Sequence, residues 1–305
     1  MKNILILFVS ILFICSCAKG ASNSESGREK ERDTIEMPEI PSDLRDPTAR
    51  ADYLITHFWD KLDIKDTDKS HDRTLMEQSL VNFLSILPYA SNDSVIKNGF
   101  AILLEKTWED QYVYKFLKDT ARAYLSDADS PMVSDNQYLL FMEAQLESDH
   151  LTSSERLRLE DMVEMVSKNK TGTKATDFTF IMPDGKSSSL YQTLVPGKNM
   201  LLIFFDPDCE LCEEVIDKLK TDRKIERGIS EGNLQILAVY AGDKEKSWRR
   251  KASAMPDSWT VGINKSEIEE NDLYYLPGMP TIYLLDGEGT VREKDISIDK
   301  LLNVY

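Results

Sequence analysis

Cysteine and histidine are scarce in this chain of 305 residues, which contains four cysteines and three histidines. His57, His71 and His150 lie far from one another and upstream of the last two cysteines, Cys209 and Cys212. A structural zinc site usually takes four such ligands at paired spacings. A metal centre at the two cysteines is therefore disfavoured, and we expect the protein to need neither a metal nor a cofactor.

Basic residues are also in deficit, with 37 Lys and Arg against 53 Asp and Glu and a formal net charge of −16. The excess acidic residues are spread along the chain instead of forming one tail. Such a surface repels phosphate groups. The charge therefore argues against nucleic-acid binding and against electrostatic attachment to anionic lipid.

The chain lacks an apolar stretch of the roughly 20 residues that a transmembrane helix needs. Its N-terminal apolar segment, Ile4 to Ile14, has only eleven residues and follows Lys2. A basic start, a short apolar segment and the small residue Ser16 before Cys17 are typical of a lipoprotein signal. We predict that residues 1–16 are a signal peptide and that Cys17 carries the lipid. The alternative is an ordinary signal peptide that is cut elsewhere.

Apolar residues are sparse in residues 17–45, which we predict to be a flexible tether. Residues 46–169 contain a single glycine, Gly99, and are predicted to form an all-helical domain. Three sets of apolar residues at helical spacing are Leu54, Ile55, Phe58, Trp59 and Leu62; Met76, Leu80, Phe83, Leu84 and Leu87; and Ile96, Phe100, Leu103, Leu104 and Trp108. Further helices are predicted over residues 109–125, 135–147 and 153–166. Aromatic residues at this spacing are expected in a core and not in a ligand site.

Residues 170–305 instead alternate strand-like and helix-like segments. The segments are a stretch from Thr171 to Phe180 that leads into a strand, a second strand up to Leu190, the apolar run Leu201–Phe205, the strand Leu234–Tyr240, a helix over Lys244–Ala254, the strand Thr281–Leu285 and a hairpin turn at Asp286–Gly289. This order is typical of a mixed sheet that is flanked by helices.

Cys209 and Cys212 form a Cys-x-x-Cys pair where the buried strand 201–205 should turn into a helix. Cys209 is expected to be the more exposed sulfur, with its thiolate favoured by free N–H groups and by the positive end of the helix dipole. Loss of Cys15 with the signal and lipidation of Cys17 leave only these two thiols. We interpret them as a redox dithiol; an inert disulfide and a metal site are the alternatives.

At four places this sequence resembles membrane-anchored thioredoxin-like proteins of the bacterial envelope. The matching motifs are Gly172-x-Lys174-Ala175-x-Asp177-Phe178, Cys209-x-x-Cys212, Gly278-Met279-Pro280-Thr281 and Asp286-Gly287-Glu288-Gly289. The resemblance covers about residues 171–305 and implies an α/β thioredoxin fold in residues 170–305. The preceding helices resemble a domain of unknown function that accompanies such modules in lipoproteins of anaerobic Gram-negative bacteria.

The resemblance also implies a role for each matching residue. Cys209 would be the attacking or attacked sulfur and Cys212 the resolving one. Pro280 would be a cis-proline beside the disulfide, and Met279 would offer its backbone to an extended substrate segment. The alternative for Pro280 is an ordinary trans turn.

The chain departs from the family pattern close to the thiols. Asp208 occupies a position where many thioredoxins have Trp, while Ile203 and Val215 occupy positions where relatives have an acidic residue. The motif therefore identifies no proton acceptor for Cys212. Asp206 or Asp208 is expected to cap the helix.

Acidic residues surround the thiols, and along the sequence no Lys or Arg lies nearer than Lys218. The acidic residues are Asp206, Asp208, Glu210, Glu213 and Glu214. Negative charge should destabilise the thiolate form and shift the redox couple toward the disulfide. We therefore expect a reductant or isomerase and not a strong oxidant.

The predicted function is that of a membrane-anchored thiol-disulfide oxidoreductase acting on envelope proteins with disulfides or thiols. It would need an unidentified membrane or periplasmic electron donor. Lipidated Cys17 would hold the protein in the cell envelope. We expect the outer membrane in preference to the inner one, and we take exposure to the periplasm as the default. The alternative is a non-catalytic lipoprotein whose helical domain binds a protein or glycan partner. A peroxidase is disfavoured because the motif lacks the Thr expected before a peroxidatic cysteine.

Overall fold

The computed structural model describes residues 34–265 and 267–304, which belong to one compact unit. The predicted signal peptide, the lipidation site Cys17 and the tether up to residue 33 lie outside the described residues. Within the described ranges, no helix combines the length and the apolar character needed to cross a bilayer.

The first half of the described chain is helical, as predicted. Its elements are α1 (Pro47–His57), α2 (Thr67–Ser70), α3 (Arg73–Ile86), a 3-10 turn (Leu87–Tyr89), α4 (Asp93–Thr107), α5 (Gln111–Ser126), α6 (Asp135–Leu146) and α7 (Ser153–Ser167). Six of these helices begin after a residue whose side chain accepts a backbone N–H bond of the first turn, namely Asp46, Asp72, Asn92, Asp110, Ser134 and Thr152. Short polar side chains at these positions satisfy N–H groups that have no partner within the helix, and they therefore fix where each helix starts.

The apolar residues of this region pack into one cluster, here called the helical core. It includes most members of the three predicted sets, such as Ile55, Trp59, Phe83 and Phe100, together with Val113, Leu117, Leu139 and Phe141. Leu54 and Trp108, which belong to the same sets, are only half-buried. Aromatic edge contacts join Phe83 to Phe100 and Phe100 to Phe141, with ring centroids 5.6 and 5.1 Å apart.

The second half contains a seven-stranded mixed sheet, and this confirms the predicted α/β class. The strands are β1 (Thr179–Ile181), β2 (Ser187–Ser189), β3 (Asn199–Phe204), β4 (Leu234–Tyr240), β5 (Thr260–Ile263), β6 (Thr281–Leu285) and β7 (Val291–Glu293), in the spatial order β2-β1-β5-β4-β3-β6-β7. Strands β3, β4 and β5 run parallel, whereas β6 runs antiparallel to β3. The sequence reading missed β5, which is short and contains Gly262.

Helices connect and flank these strands. They are α8 (Leu190–Thr193), α9 (Glu210–Thr221), α10 (Arg223–Ser230), α11 (Glu245–Ala252), α12 (Glu267–Glu270) and α13 (Ile298–Val304). Strand β3 lies inside the sheet between β4 and β6 and is buried on both faces. Leu201 and Ile203 contribute to the apolar cluster on one face, and Met200, Leu202 and Phe204 contribute to the cluster on the other. This explains the uninterrupted apolar run that the sequence showed.

Candidate redox site

The two cysteines lie at the junction between β3 and α9. Cys209 is the N-cap residue of α9, and its sulfur accepts the backbone N–H of Cys212 at 3.1 Å. The expectation that Asp206 or Asp208 caps the helix is therefore wrong. The Asp206 carboxylate instead accepts the backbone N–H of Asp208 at 2.7 Å and closes the turn that precedes the helix.

The two thiols are free and differ in exposure. Cys209 is half-buried, whereas Cys212 has no exposed surface and packs among residues of α9 that include Val215 and Ile216. Burial raises the pKa of the Cys212 thiol to about 12, and the neighbouring Cys209 sulfur acts in the same direction. The backbone N–H of Asp206 bonds the Cys212 sulfur and opposes this shift. The arrangement thus has one accessible sulfur and one shielded sulfur that retains its proton.

The loop before β6 completes the site. The Met279–Pro280 peptide bond is cis, which confirms that prediction. The Cys209 sulfur lies 3.5 Å from the backbone carbonyl oxygen of Met279, although 70 positions separate the two residues in the chain. Thr281 donates a hydrogen bond from its hydroxyl to the Gly278 carbonyl at 2.6 Å and closes the same loop. The structure therefore brings Cys209, Cys212 and Met279–Pro280 into one site.

The electrostatic surroundings differ from those that sequence distance suggested. Lys244 lies 3.3 Å from the Asp208 carboxylate and 3.7 Å from that of Asp206. Lys251 lies 2.8 Å from the Glu213 carboxylate. Three of the acidic residues near the thiols therefore have basic partners that their separation along the chain did not indicate.

A third basic residue of α11 adds to this compensation, since Arg250 lies 3.7 Å from the Asp208 carboxylate. Two acidic residues beside the thiols, Glu210 and Glu214, are exposed and make no ion pair within the described part of the chain. A smaller acidic excess thus remains at the site than the sequence alone indicated.

The parallel pairing of β3 and β4 explains this arrangement. Because the two strands run in the same direction, their carboxyl ends meet at one edge of the sheet. α9 follows β3 and α11 follows β4, so both helices begin at that edge. The basic residues just after β4 therefore indicate that the charge near the thiols is compensated. This can be inferred from the sequence only if β4 is known to be the neighbour of β3.

The described residues hold no group of three or more His, Cys, Asp or Glu side chains placed to bind a metal ion. Each histidine instead contacts a single carboxylate of the helical region. His71 lies 2.7 Å from Asp110, His57 lies 2.8 Å from Asp60, and His150 lies 3.0 Å from Glu105.

The family described as a domain of unknown function (DUF5106) matches residues 15–169, and a thioredoxin-like domain family matches residues 188–296. A comparison with curated proteins gives no match.

Solved structures give further matches. A thioredoxin-like protein from Bacteroides caccae ATCC 43185 shares 32% identity over 88% of this chain and 97% of its own, with a TM-score of 0.74. A conserved protein of unknown function from Bacteroides fragilis shares 34% identity over 44% of this chain and 98% of its own, with a TM-score of 0.42. The thioredoxin domain of a thiol-disulfide oxidoreductase from Bacteroides vulgatus shares 25% identity over 44% of this chain and 94% of its own, with a TM-score of 0.38.

The first of these matches extends over both the helical region and the sheet region, and the DUF5106 match covers half of the chain. The chain therefore belongs to the DUF5106 family and is a thioredoxin-like protein in which the helical domain precedes the thioredoxin-like domain.

Proposed function

We propose that this protein is a thiol-disulfide oxidoreductase of the cell envelope that uses Cys209 and Cys212 on the disulfides of envelope proteins. The observation that carries the proposal is the asymmetry of the two thiols at the start of α9. Cys209 is accessible and lies at the positive end of the helix dipole, whereas Cys212 is shielded one turn behind it. This is the arrangement that an attacking sulfur and a resolving sulfur require.

The proposed reaction is a two-step exchange. The Cys209 thiolate attacks one sulfur of a substrate disulfide, forms a mixed disulfide and releases the other substrate sulfur as a thiolate that takes up a proton. Cys212 then loses its proton and attacks the Cys209 sulfur, so that the second substrate thiol leaves and the 209–212 disulfide forms. Two electrons pass from the protein to the substrate, and a membrane or periplasmic donor must restore the dithiol.

The backbone of Met279 has a proposed role in substrate binding. Its carbonyl already lies beside the Cys209 sulfur, and a substrate segment in extended conformation could bond to this stretch of backbone as an added strand does. Main-chain bonding gives affinity that depends little on the substrate's side chains. We therefore assign Met279 and Pro280 to the binding of the peptide on either side of the substrate cysteine.

The proposed direction of electron transfer is reduction or isomerisation. Glu210 and Glu214 add negative charge beside the thiols, and the Cys212 thiol holds its proton, so the reduced form gains little from ionisation. A strong oxidant has the opposite property, a reduced form that is heavily stabilised. The basic residues of α11 limit this effect, and we expect a moderately reducing couple.

The location that we propose is the envelope membrane, with Cys17 acylated and the periplasmic face as the default. The support comes from the residues around Cys17, which have the pattern of a lipoprotein signal. Metabolic labelling with an alkyne fatty acid tests it directly. Label in the wild type and none in Cys17→Ala would support the anchor, whereas equal label in both would contradict it.

The redox potential is the first test of the proposed activity. The Cys209–Cys212 pair is titrated in the purified protein against glutathione and dithiothreitol buffers. A value between about −120 and −270 mV is expected for a cycling dithiol. A value below about −300 mV would mark a structural disulfide and would contradict the proposal.

Trapping of substrates is the second test. Cys212→Ser leaves the attacking sulfur but removes the resolving one, so mixed disulfides with envelope proteins should accumulate in cells. Cys209→Ser is the matched control and should trap none. Equal trapping by the two variants would contradict the roles assigned to the two sulfurs.

A second candidate function is ligand binding by the helical region, and a cleft there favours it. The cleft has a volume of about 250 Å³ and opens between the end of α4, α5 and the start of α7. Its lining residues are Trp108, Gln111, Tyr114, Lys115, Lys118, Asp119, His150, Leu151 and Glu155. The test replaces both Cys209 and Cys212 by Ser. If the variant still binds a protein or glycan partner, and if the wild-type dithiol shows no exchange activity, this function is favoured over the first.

A further inference from the structure

The loop that carries Met279 is held between the sheet and the helical region. Two consecutive tyrosines, Tyr274 and Tyr275, pack into different parts of the molecule. Tyr274 is buried in the apolar cluster of the sheet, where its ring lies 4.9 Å from that of Phe204. The ring of Tyr275 packs against the helical core. The chain between α12 and β6 is therefore fixed from both sides.

Polar contacts reinforce this arrangement. The Tyr274 hydroxyl donates to the Thr176 carbonyl at 2.6 Å, and the Tyr283 hydroxyl donates to the Tyr275 carbonyl at 2.9 Å. The side-chain amide of Asn169 donates to the Leu273 carbonyl at 2.8 Å. The segment just before the redox loop thus has bonds to the sheet and to the chain that follows α7.

A buried lysine joins the helical region to the same tyrosine. Lys294, just after β7, is 7% exposed and donates to the carbonyls of Val166 and Lys168 at 2.8 and 2.9 Å. These carbonyls belong to the end of α7, where a cation is favoured by the helix dipole. The Lys294 ammonium also lies 5.3 Å from the centre of the Tyr275 ring, which is within cation–π distance.

A short stretch of chain connects these contacts to the reacting sulfur. Tyr275 precedes Met279 by four residues, and the Met279 carbonyl lies 3.5 Å from the Cys209 sulfur. Leu276 and Met279 themselves pack on the apolar clusters of the sheet, so that only two exposed residues, Pro277 and Gly278, lie between them to absorb a shift of Tyr275. A displacement of the helical region would therefore reach the Met279 backbone.

We propose that the helical domain is a positioning element of the redox site, and that Tyr275 is the residue through which it holds the Met279 backbone beside Cys209. The proposal rests on the proposed function, since it assumes that Cys209 reacts with a peptide disulfide. It gives the domain of unknown function a defined task, which is to keep the peptide-binding backbone in register with the sulfur. Tyr275 itself does not touch the reacting atoms.

The test separates peptide positioning from intrinsic thiol reactivity. The rate of reduction is measured on two substrates: a short peptide whose cysteine is disulfide-linked to glutathione, and hydroxyethyl disulfide, which has no peptide backbone. Tyr275→Ala should slow the peptide reaction about tenfold, because a small misplacement of a binding group is costly. Its reaction with hydroxyethyl disulfide should stay within about twofold of the wild type, because that substrate does not use Met279.

Control variants separate positioning from loss of stability. Tyr275→Phe retains the ring and should retain both rates. Phe83→Leu removes a buried ring from the same helical core, where it packs against Phe58, Trp59 and Phe100, and should also leave the ratio of the two rates unchanged. If Tyr275→Ala does not fold, Tyr275→Leu, which keeps apolar bulk but loses the ring over Lys294, should change the ratio in the same direction.

The outcomes distinguish the two proposals. An active wild type with an unchanged rate ratio in Tyr275→Ala or Tyr275→Leu would overturn the positioning role alone. An equal change of the ratio in Phe83→Leu would overturn it as well, because general destabilisation would then suffice. A wild type that reduces neither substrate would overturn the proposed function and, with it, this inference.

Discussion

At the scale of single residues, the burial of Cys212 determines how the reduced protein responds to alkali. Its pKa is raised from an ordinary value of 9.0 to about 12, so the folded protein binds this proton more tightly than the unfolded chain does. A raised pKa of this kind contributes stability that is fully present below the unfolded value and is lost as the pH rises toward the folded value.

We therefore expect the reduced protein to lose stability between about pH 9 and pH 12 relative to Cys212→Ala, in which this thiol is absent. The measurement is urea unfolding of both proteins under reducing conditions at pH 8 and pH 10.5. Titrating groups that do not interact with Cys212 are common to the two proteins and cancel in the difference, whereas Cys209 interacts with it directly. A difference in unfolding free energy that does not change between the two pH values would contradict the burial argument.

Asp295 is a second residue whose environment disfavours its charge. Burial raises its pKa to about 6, and the nearby Asp135 carboxylate adds to the shift while Lys294 opposes it. The folded state thus favours the protonated form. The stability from this proton is present below the ordinary carboxyl pKa of 3.8 and is lost as the pH rises through about 6.

Asp295→Asn should therefore stabilise the protein at pH 7.5 by about 1 kcal/mol and have little effect at pH 3.5. Asparagine suits the position because the backbone there has a φ of 48°, which Asn adopts more readily than most residues. Unfolding in urea at the two pH values checks this. A variant that is less stable than the wild type at pH 7.5 would show that the carboxylate is needed in its charged form.

At the scale of elements, the contact between α1 and α4 depends on Gly99. A Cβ atom at this position would lie 2.6 Å from Cγ2 of Ile55 and 3.2 Å from Cζ of Phe83. No backbone strain is involved; the residue is small because the neighbouring helix lies close to it. The single glycine of the helical region therefore serves packing.

We expect Gly99→Ala to destabilise the protein by up to about 2 kcal/mol, since overpacking costs about 1–3 kcal/mol and Ala gains only about 1 kcal/mol in helix propensity. Thermal and urea unfolding measure the effect. Ile55→Ala in the Gly99→Ala background opens space beside the new methyl group, so the two substitutions should be less harmful together than the sum of their separate effects. Strict additivity would contradict the steric explanation.

The elements also show how far the sequence could be read. Helical periodicity predicted α4 to α7 closely, and the central strands β3 and β4 followed from their apolar runs. β5, α10 and α13 escaped prediction because they are short, with four, eight and seven residues. For β5 the pairing with β4, which is not local in sequence, decides the structure.

The candidate site, like the fold, could be predicted only in part from the sequence. The positions of Cys209 and Cys212 at a strand–helix junction and the cis bond before Pro280 followed from motifs. The ion pairs of Lys244 and Lys251 did not, because they join residues more than thirty positions apart. Spatial charge depends on which strands are neighbours, and the composition of the motif contains no such information.

At the scale of the whole molecule, the helical region and the sheet should unfold together. Lys294, Asn169 and Tyr275 connect the two regions by buried contacts, and the described chain forms one compact unit. Unfolding of either region alone would break the bonds of Lys294 to the carbonyls at the end of α7 and would expose the apolar surface that Tyr275 covers. Both losses oppose the unfolding of one region by itself.

We therefore expect a single cooperative unfolding transition in urea. Hydrogen exchange of α4 and of β4, followed by mass spectrometry at increasing urea concentration, should give the same midpoint concentration for both elements. Lys294→Met should separate the two midpoints, because the apolar side chain cannot bond the carbonyls of α7. Lys174→Met provides a control at an exposed lysine of the sheet region. Separate midpoints in the wild type would show that the two regions are thermodynamically independent.

The sulfur of Cys209 has two tasks at once, since the atom proposed to attack substrates is also the cap of α9. Every covalent partner that it takes up competes with its bond to the Cys212 amide. The exchange rate of that one amide proton should therefore follow the chemical state of the sulfur through a catalytic cycle. Turnover could therefore be followed through the exchange rate of the Cys212 amide proton, without a dye or a labelled substrate.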